Sequence, residues 1–216
     1  MLSPTHKSLD HRRVPQVIGG RWKPLHYWLK SSIYTDTTAA CDGTGLCYVK
    51  NDAITPFAGV VTVTAVHFDG AAQRVIAARN VDMAAGAGVI EWFSIDLTAL
   101  SFNTTVLLIE VRQGSSVVSR NVQALAPPKA MQLPRANVTF TVDNVMRDDG
   151  FPIHLRTDAP ALYVTLTTLE QGHFSDNAFL LTGNAVGVRR KGWGGGRQRG
   201  EQKKEGAAKG WEYACA

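Results

Sequence analysis

The chain has 216 residues, 44% hydrophobic and 19% charged, the balance of an ordinary globular protein with room for one large or two small cores. Its net charge of +5 arises entirely beyond Val188, where eight basic residues stand against three acidic ones, so the rest is formally neutral and offers no electrostatic footprint for nucleic acid. No apolar run approaches the roughly 18 residues of a membrane-spanning helix, and the opening MLSPTHKSLDHRR lacks the apolar stretch of a secretory leader.

Residues 1–20 show no period and hold two prolines and the Gly19-Gly20 break. RWKPLHYWLKSSI then predicts a helix, with Pro24 in its first turn and Trp22, Leu25, Leu29 and Ile33 at helical spacing. That aromatic face requires a partner, expected upstream, where too little chain precedes it to supply one. Cys41 and Cys47 flank the loop CDGTGLC, a spacing open to a disulfide or to two free thiols, while Cys215 stands alone. No histidine or second cysteine pair lies where a four-ligand zinc site needs it, and no other metal or cofactor is implied.

From about residue 45 the period changes to two. The runs LCYVKND, GVVTVTAVHF, RVIAARNV, VIEWFSIDL, TTVLLIEVR and SVVSRNVQAL follow at the short intervals of an antiparallel sandwich. Val61, Val63 and Ala65 fall on one face. Leu107, Ile109 and Val111 point inward, with Glu110 and Arg112 outward. APPKAMQLP (126–134) reads as a short, stiff linker, after which ANVTFTVD aligns Val138, Phe140 and Val142, and ALYVTLTT aligns Leu162, Val164 and Leu166. This second β region ends near Val188, short of the roughly 100 residues of a complete sandwich, so a strand is expected to be missing. Beyond Val188 the mixture of Gly, Lys, Arg, Glu and Gln predicts disorder.

Signatures of catalysis are lacking. Three glutamates precede the tail, Glu91, Glu110 and Glu170, and the first two read as solvated or rim carboxylates. There is no GxSxG elbow, HExxH pair, phosphate loop or dinucleotide fingerprint. Asn103 and Asn137 begin N-x-T sequons on polar faces, where a glycan is tolerated. RRKGWGGGRQRG is similar to arginine–glycine RNA-binding segments, but one unrepeated passage reads better as a solvated extension than as a nucleic-acid site.

Three stretches together identify a family. GGRWKPLHYW resembles the end of the catalytic barrel of β-mannosidases of glycoside hydrolase family 2. LCYVKNDAITPFAGVVTVTAVHF resembles the opening of the following immunoglobulin-like domain, and HFSDNAFLLTG the FSDN-x-F motif of the last sandwich. The motif residues are Gly20, Arg21, Trp22, Lys23, Asn51, Asp52, Phe174, Ser175, Asp176 and Asn177, read as structural positions. The resemblance implies a retaining exo-glycosidase that removes terminal β-linked mannose from glycan-derived oligosaccharides, working in the lysosome or secretory pathway. The chain departs from the family decisively: a (β/α)8 barrel of about 250 residues does not fit before Gly19, neither the Asn-Glu nor the Ser-Glu dipeptide of the family's catalytic glutamates occurs, and the tryptophan-rich barrel strand that normally precedes GGRWK is absent.

The expected architecture is all-β: a barrel remnant with one helix (1–37), an immunoglobulin-like sandwich (38–126), a truncated second sandwich (127–188) and a disordered basic tail (189–216). No catalytic residue is assigned, and the chain by itself is expected to be inactive. In the intact enzyme these domains would pack on their own barrel and meet mannose-containing glycans through it. The competing readings are a stand-alone carbohydrate-binding sandwich, with Trp92 or Tyr163 stacking on sugar, and RNA binding through the tail.

Overall fold

The computed structural model describes residues 16–17, 21–70, 72–86, 88–143, 145–146, 150–168, 172–183, 186–191 and 211–214. Gly20, Cys215 and the tail residues 192–210, for which disorder is expected, lie outside the described residues. A two-strand ribbon, β1 (Gln16–Val17) with β2 (Arg21–Trp22), leads into helix α1 (Pro24–Ser32). Pro24 begins the helix, where its missing N–H is no loss. At the far end the Ile33 and Tyr34 N–H groups both donate to the Leu29 carbonyl, closing the last turn.

The predicted helix forms, but its buried face is a different one. Leu25 and Ile33 are 52% and 47% exposed, whereas Tyr27 is 2% exposed. The partner also lies downstream: Tyr27 and Trp22 join the core of the second sandwich. Spacing located an apolar stripe, but the depth of burial is decided by the surface that the helix meets.

The first sandwich has seven antiparallel strands. One sheet orders β3 (Thr37–Cys41), β4 (Leu46–Asn51) and β7 (Val89–Ser94). The other orders β6 (Arg74–Met83), β5 (Phe57–His67), β8 (Thr105–Gln113) and β9 (Ser116–Ala124). Val61, Val63, Ala65, Leu107, Ile109 and Val111 fill the space between the sheets, as their alternation requires. Cys41 and Cys47 sit opposite each other across β3 and β4 and are disulfide-bonded. Glu110 points to the outer face yet is buried, because Arg112 and Arg120 close over its carboxylate. The stretch after β9 is stitched back to the first sandwich by the Gln132 N–H, which donates to the Asn103 carbonyl at 2.7 Å.

Among the described residues the second sandwich also has seven strands. β10 (Val138–Val142), β11 (Phe151–Thr157), β15 (Val186–Lys191) and β13 (His173–Phe174) form one sheet. β14 (Phe179–Leu181), β12 (Ala161–Thr168) and β16 (Trp211–Ala214) form the other. Here the structure differs from the expected truncation. The boundary placed after Val188 falls inside β15, and Trp211–Ala214 pairs antiparallel with Thr165–Thr168. A composition poor in aliphatic residues cannot build a core of its own, yet strand addition requires only backbone N–H and C=O groups at an open edge.

A β-bulge lies between Ala161 and Val164, and Tyr163 within it has a left-handed φ of 56°. The bulge breaks the alternation that aligned Leu162 with Val164 and Leu166. Val164 and Leu166 stay in the second core, while Leu162 turns to Val66, Phe68, Val106 and Leu180 in a cluster joining the two sandwiches.

Asn51 is fully buried at the end of β4. Its amide oxygen accepts from the Thr37 hydroxyl and the Ala53 N–H, and its amide nitrogen donates to the Thr55 and Ala84 carbonyls at 3.1 and 3.0 Å. Asn51→Ala strands those groups without water and is expected to destabilise the first sandwich by about 3 kcal/mol, read as a lowered urea midpoint at unchanged slope. An unaltered midpoint would show that the turn holds without its asparagine.

Candidate functional site

Two of the three sequence motifs meet in space. Trp22 stacks on His173, ring centroids 4.2 Å apart and planes 17° from parallel, and the Lys30 ammonium lies 5.6 Å from the centroid of the Trp22 ring. One helical turn on, the Tyr27 hydroxyl accepts a hydrogen bond of 2.9 Å from the Phe174 N–H. Burial pushes the Tyr27 phenol up to about 12, so it stays protonated and neutral through the physiological range. Burial, with the Lys30 ammonium second, lowers the pKa of His26, which favours a neutral ring beside Trp22. Arg21 lies in β2 and Lys23 immediately precedes the helix.

The FSDN loop then anchors itself to β12. The Asn177 side chain accepts from the Leu166 N–H at 2.7 Å and donates to the Leu166 carbonyl at 2.9 Å, the pair of bonds that a neighbouring strand would make. The same oxygen takes the Ala178 N–H, and Ala178 adopts a φ of 55° to allow it. Asp176 accepts the Asn177 N–H. Burial raises the Asp176 pKa, partly opposed by that hydrogen bond and by the fields of Arg120 and Lys30.

Ser175, Asp176 and Asn177 line a cleft of about 340 Å³ between α1, β9 and this loop, with Trp28, Arg120 and Tyr163 among its walls. Arg120 is held in place by Glu110, whose carboxylate also takes Arg112. Burial alone would raise the Glu110 pKa, but the two guanidiniums outweigh it and hold the carboxyl below its usual range. Glu91 pairs with Arg79 at 3.7 Å.

The remaining sequence candidates lie elsewhere. Asn51 and Asp52 form the turn after β4, where Asp52 accepts from Lys50 and from the Gly88 N–H. Asn103 and Asn137 are exposed. Trp92 is 58% exposed on the outer face of β7, 5.6 Å from Tyr48, while Tyr163 is 38% exposed at the cleft. Lys30, Thr35 and Arg120 were missed by the sequence reading. The one available signal was the Glu110–Arg120 pairing across β8 and β9, visible only once register is known.

A family model for an Ig-fold domain, Ig_mannosidase, matches residues 133–203, a span that runs past Val188 into the basic segment. No curated protein matches the chain. Among solved structures, the chain is similar to a β-D-mannosidase from Dictyoglomus thermophilum, with a TM-score of 0.64 and 20% identity over 79% of this chain and 21% of that one. It is also similar to the Amycolatopsis orientalis exo-chitosanase CsxA, with a TM-score of 0.55 and 18% identity over 77% of this chain and 24% of that one. A complex of that chitosanase with PNP-β-D-glucosamine scores 0.55 at 17% identity, with the same coverage. The chain thus spans about a quarter or less of the length of these enzymes. Residues 133–203 thus match an Ig-fold domain model, and the likeness to these structures shows that the chain has their all-β, Ig-like fold.

Proposed function

We propose that this chain is the accessory Ig-like region of a β-mannosidase, bracing a catalytic barrel that removes terminal β-D-mannose from glycan oligosaccharides in the intact enzyme. The observation that carries this reading is the grip of the last sandwich on α1, through Trp22 on His173 and Tyr27 on Phe174. The segment entering that helix resembles the end of a glycosidase barrel. A sandwich fastened to it would hold the barrel's terminal helix against fraying and fix its orientation. The retaining hydrolysis that the resemblance implies uses two carboxyls about 5–5.5 Å apart, whereas Glu110 is held between arginines and Glu91 is paired with Arg79. The chemistry is therefore assigned to the barrel. The Cys41–Cys47 disulfide and the exposed sequons at Asn103 and Asn137 support an oxidising, glycosylating route such as the lysosomal or secretory pathway.

Reading the transcript upstream tests the role directly. An in-frame barrel carrying two catalytic glutamates is expected, and an in-frame stop codon followed by unrelated sequence would overturn the reading. The purified 216-residue chain is expected to release no aryl alcohol from an aryl β-mannoside above the buffer rate, and measurable turnover would place catalytic groups within it. Tyr27→Phe removes the hydroxyl that accepts the Phe174 N–H and is expected to lower stability by about 1–2 kcal/mol. Hydrogen exchange should show this loss in α1 and β12–β14 while the first sandwich keeps its protection. Equal protection in both proteins would remove the clamp from the argument.

A further inference from the structure

We infer that the cleft between α1, β9 and the FSDN loop is a binding site for a neutral, polyhydroxylated small molecule of about one sugar ring. This stands apart from the bracing role, which needs no ligand. The volume of about 340 Å³ lies at the lower end of small-molecule sites, which run from about 300 to 1,000 Å³, enough for one ring and too little for a chain of several.

Backbone strain converges on the same place. Among the described residues, the two non-glycine positions with left-handed φ are Tyr163 and Ala178, and both line this cleft. For a bulky residue that conformation is rare, and it concentrates at ligand sites. At Tyr163 the β12 bulge lifts the ring out of the alternation and into the cleft wall.

The polar groups of the cleft are also incompletely used. The Thr35 hydroxyl is buried without a hydrogen-bond partner among the described residues. Asp176 takes its neighbour's N–H but forms no ion pair among them, so Arg120 and Lys30 act on it through space. A bound cation would face those two positive charges, and a bound anion would face a desolvated carboxylate. Hydroxyl groups avoid both penalties, because they donate to Asp176 and accept from Arg120 or Lys30. Trp28 and Tyr163 supply flat apolar surface of the kind that the C–H face of a pyranose covers.

The full chain is titrated by calorimetry and ligand-observed NMR with methyl β-D-mannopyranoside, methyl β-D-glucopyranoside and glycerol, and with glucuronate and glucosamine as charged counterparts. Saturable binding of a neutral pyranoside is expected, with Kd on the order of 1 mM, at least tenfold tighter than either charged sugar and than glycerol. Asp176→Asn keeps the acceptor for the Asn177 N–H, and Tyr163→Gly relieves the left-handed backbone while deleting the ring, so both variants are expected to fold. Each should weaken binding about fivefold or more, while Trp92→Ala on the outer sheet face leaves it unchanged. No saturation by any neutral sugar up to about 100 mM, unaltered affinity in both cleft variants, or loss on Trp92→Ala alone would each overturn the assignment.

Discussion

The seat of α1 on the HFSDN loop is the constraint on which the rest of the architecture depends. The Tyr27–Phe174 hydrogen bond joins positions 147 residues apart, with the first sandwich and strands β10–β12 of the second strung between them. Closing so long a loop costs entropy that grows only slowly with its length, so a modest set of contacts suffices provided they are dry and mutually satisfied. Trp22 supplies the apolar area by stacking on His173, and Tyr27 supplies a neutral acceptor for the Phe174 N–H. Neither contribution replaces the other. A phenylalanine in place of Tyr27 would pack but lose this hydrogen bond, and an exposed tyrosine would bond water instead.

That closure determines how the sandwiches lie against each other. The helix is fastened to the first sandwich where the Thr38 hydroxyl donates to the Ser32 carbonyl at 2.8 Å. It is fastened to the second by the aromatic grip. The sandwiches then share the cluster of Val66, Phe68, Val106, Leu162 and Leu180, whose burial requires the β12 bulge to turn Leu162 away from its own core. The cleft lies beside these contacts, between α1, β9 and the FSDN loop.

Much of this was legible in the sequence, for a definite reason. Val61, Val63 and Ala65, or Leu107, Ile109 and Val111, alternate because a sheet with one dry face admits no other pattern, so local order alone reveals them. The helix was legible in extent but not in orientation, since its partner lies far along the chain and the residue it buries most deeply is Tyr27 rather than Leu25 or Ile33. The bulge at Tyr163 left no trace, because the position lacks the glycine or asparagine that usually marks a left-handed turn and ALYVTLTT alternates without a break. Strand β16 was hidden by its neighbourhood: composition weighed over the whole tail predicted disorder, whereas pairing on β12 uses the backbone of four residues, Trp211–Ala214. In the cleft, Asp176 and Asn177 stood out as motif residues, but Arg120 and Thr35 become neighbours only through tertiary structure.

The two asparagine motifs share one physical device. Asn51 in KND and Asn177 in SDN are both buried, and each uses its amide as a piece of detached strand, satisfying backbone groups where the ladder stops. An aspartate cannot perform either role, because it lacks the N–H donor that both positions use. The neighbouring Asp52 and Asp176 do the reverse and spend their carboxylates on loop N–H groups, from Gly88 and from Asn177. Where such a pair ends in solvent, as at Asp52, the carboxylate is held below its usual pKa by Lys50 and the Gly88 N–H, and its task is complete. Where it ends at the junction of three packed elements, as at Asp176, burial drives the pKa the other way and leaves acceptor capacity facing the cleft. The same local motif thus closes a turn in one sandwich and furnishes a site in the other, and the difference lies in what packs around it.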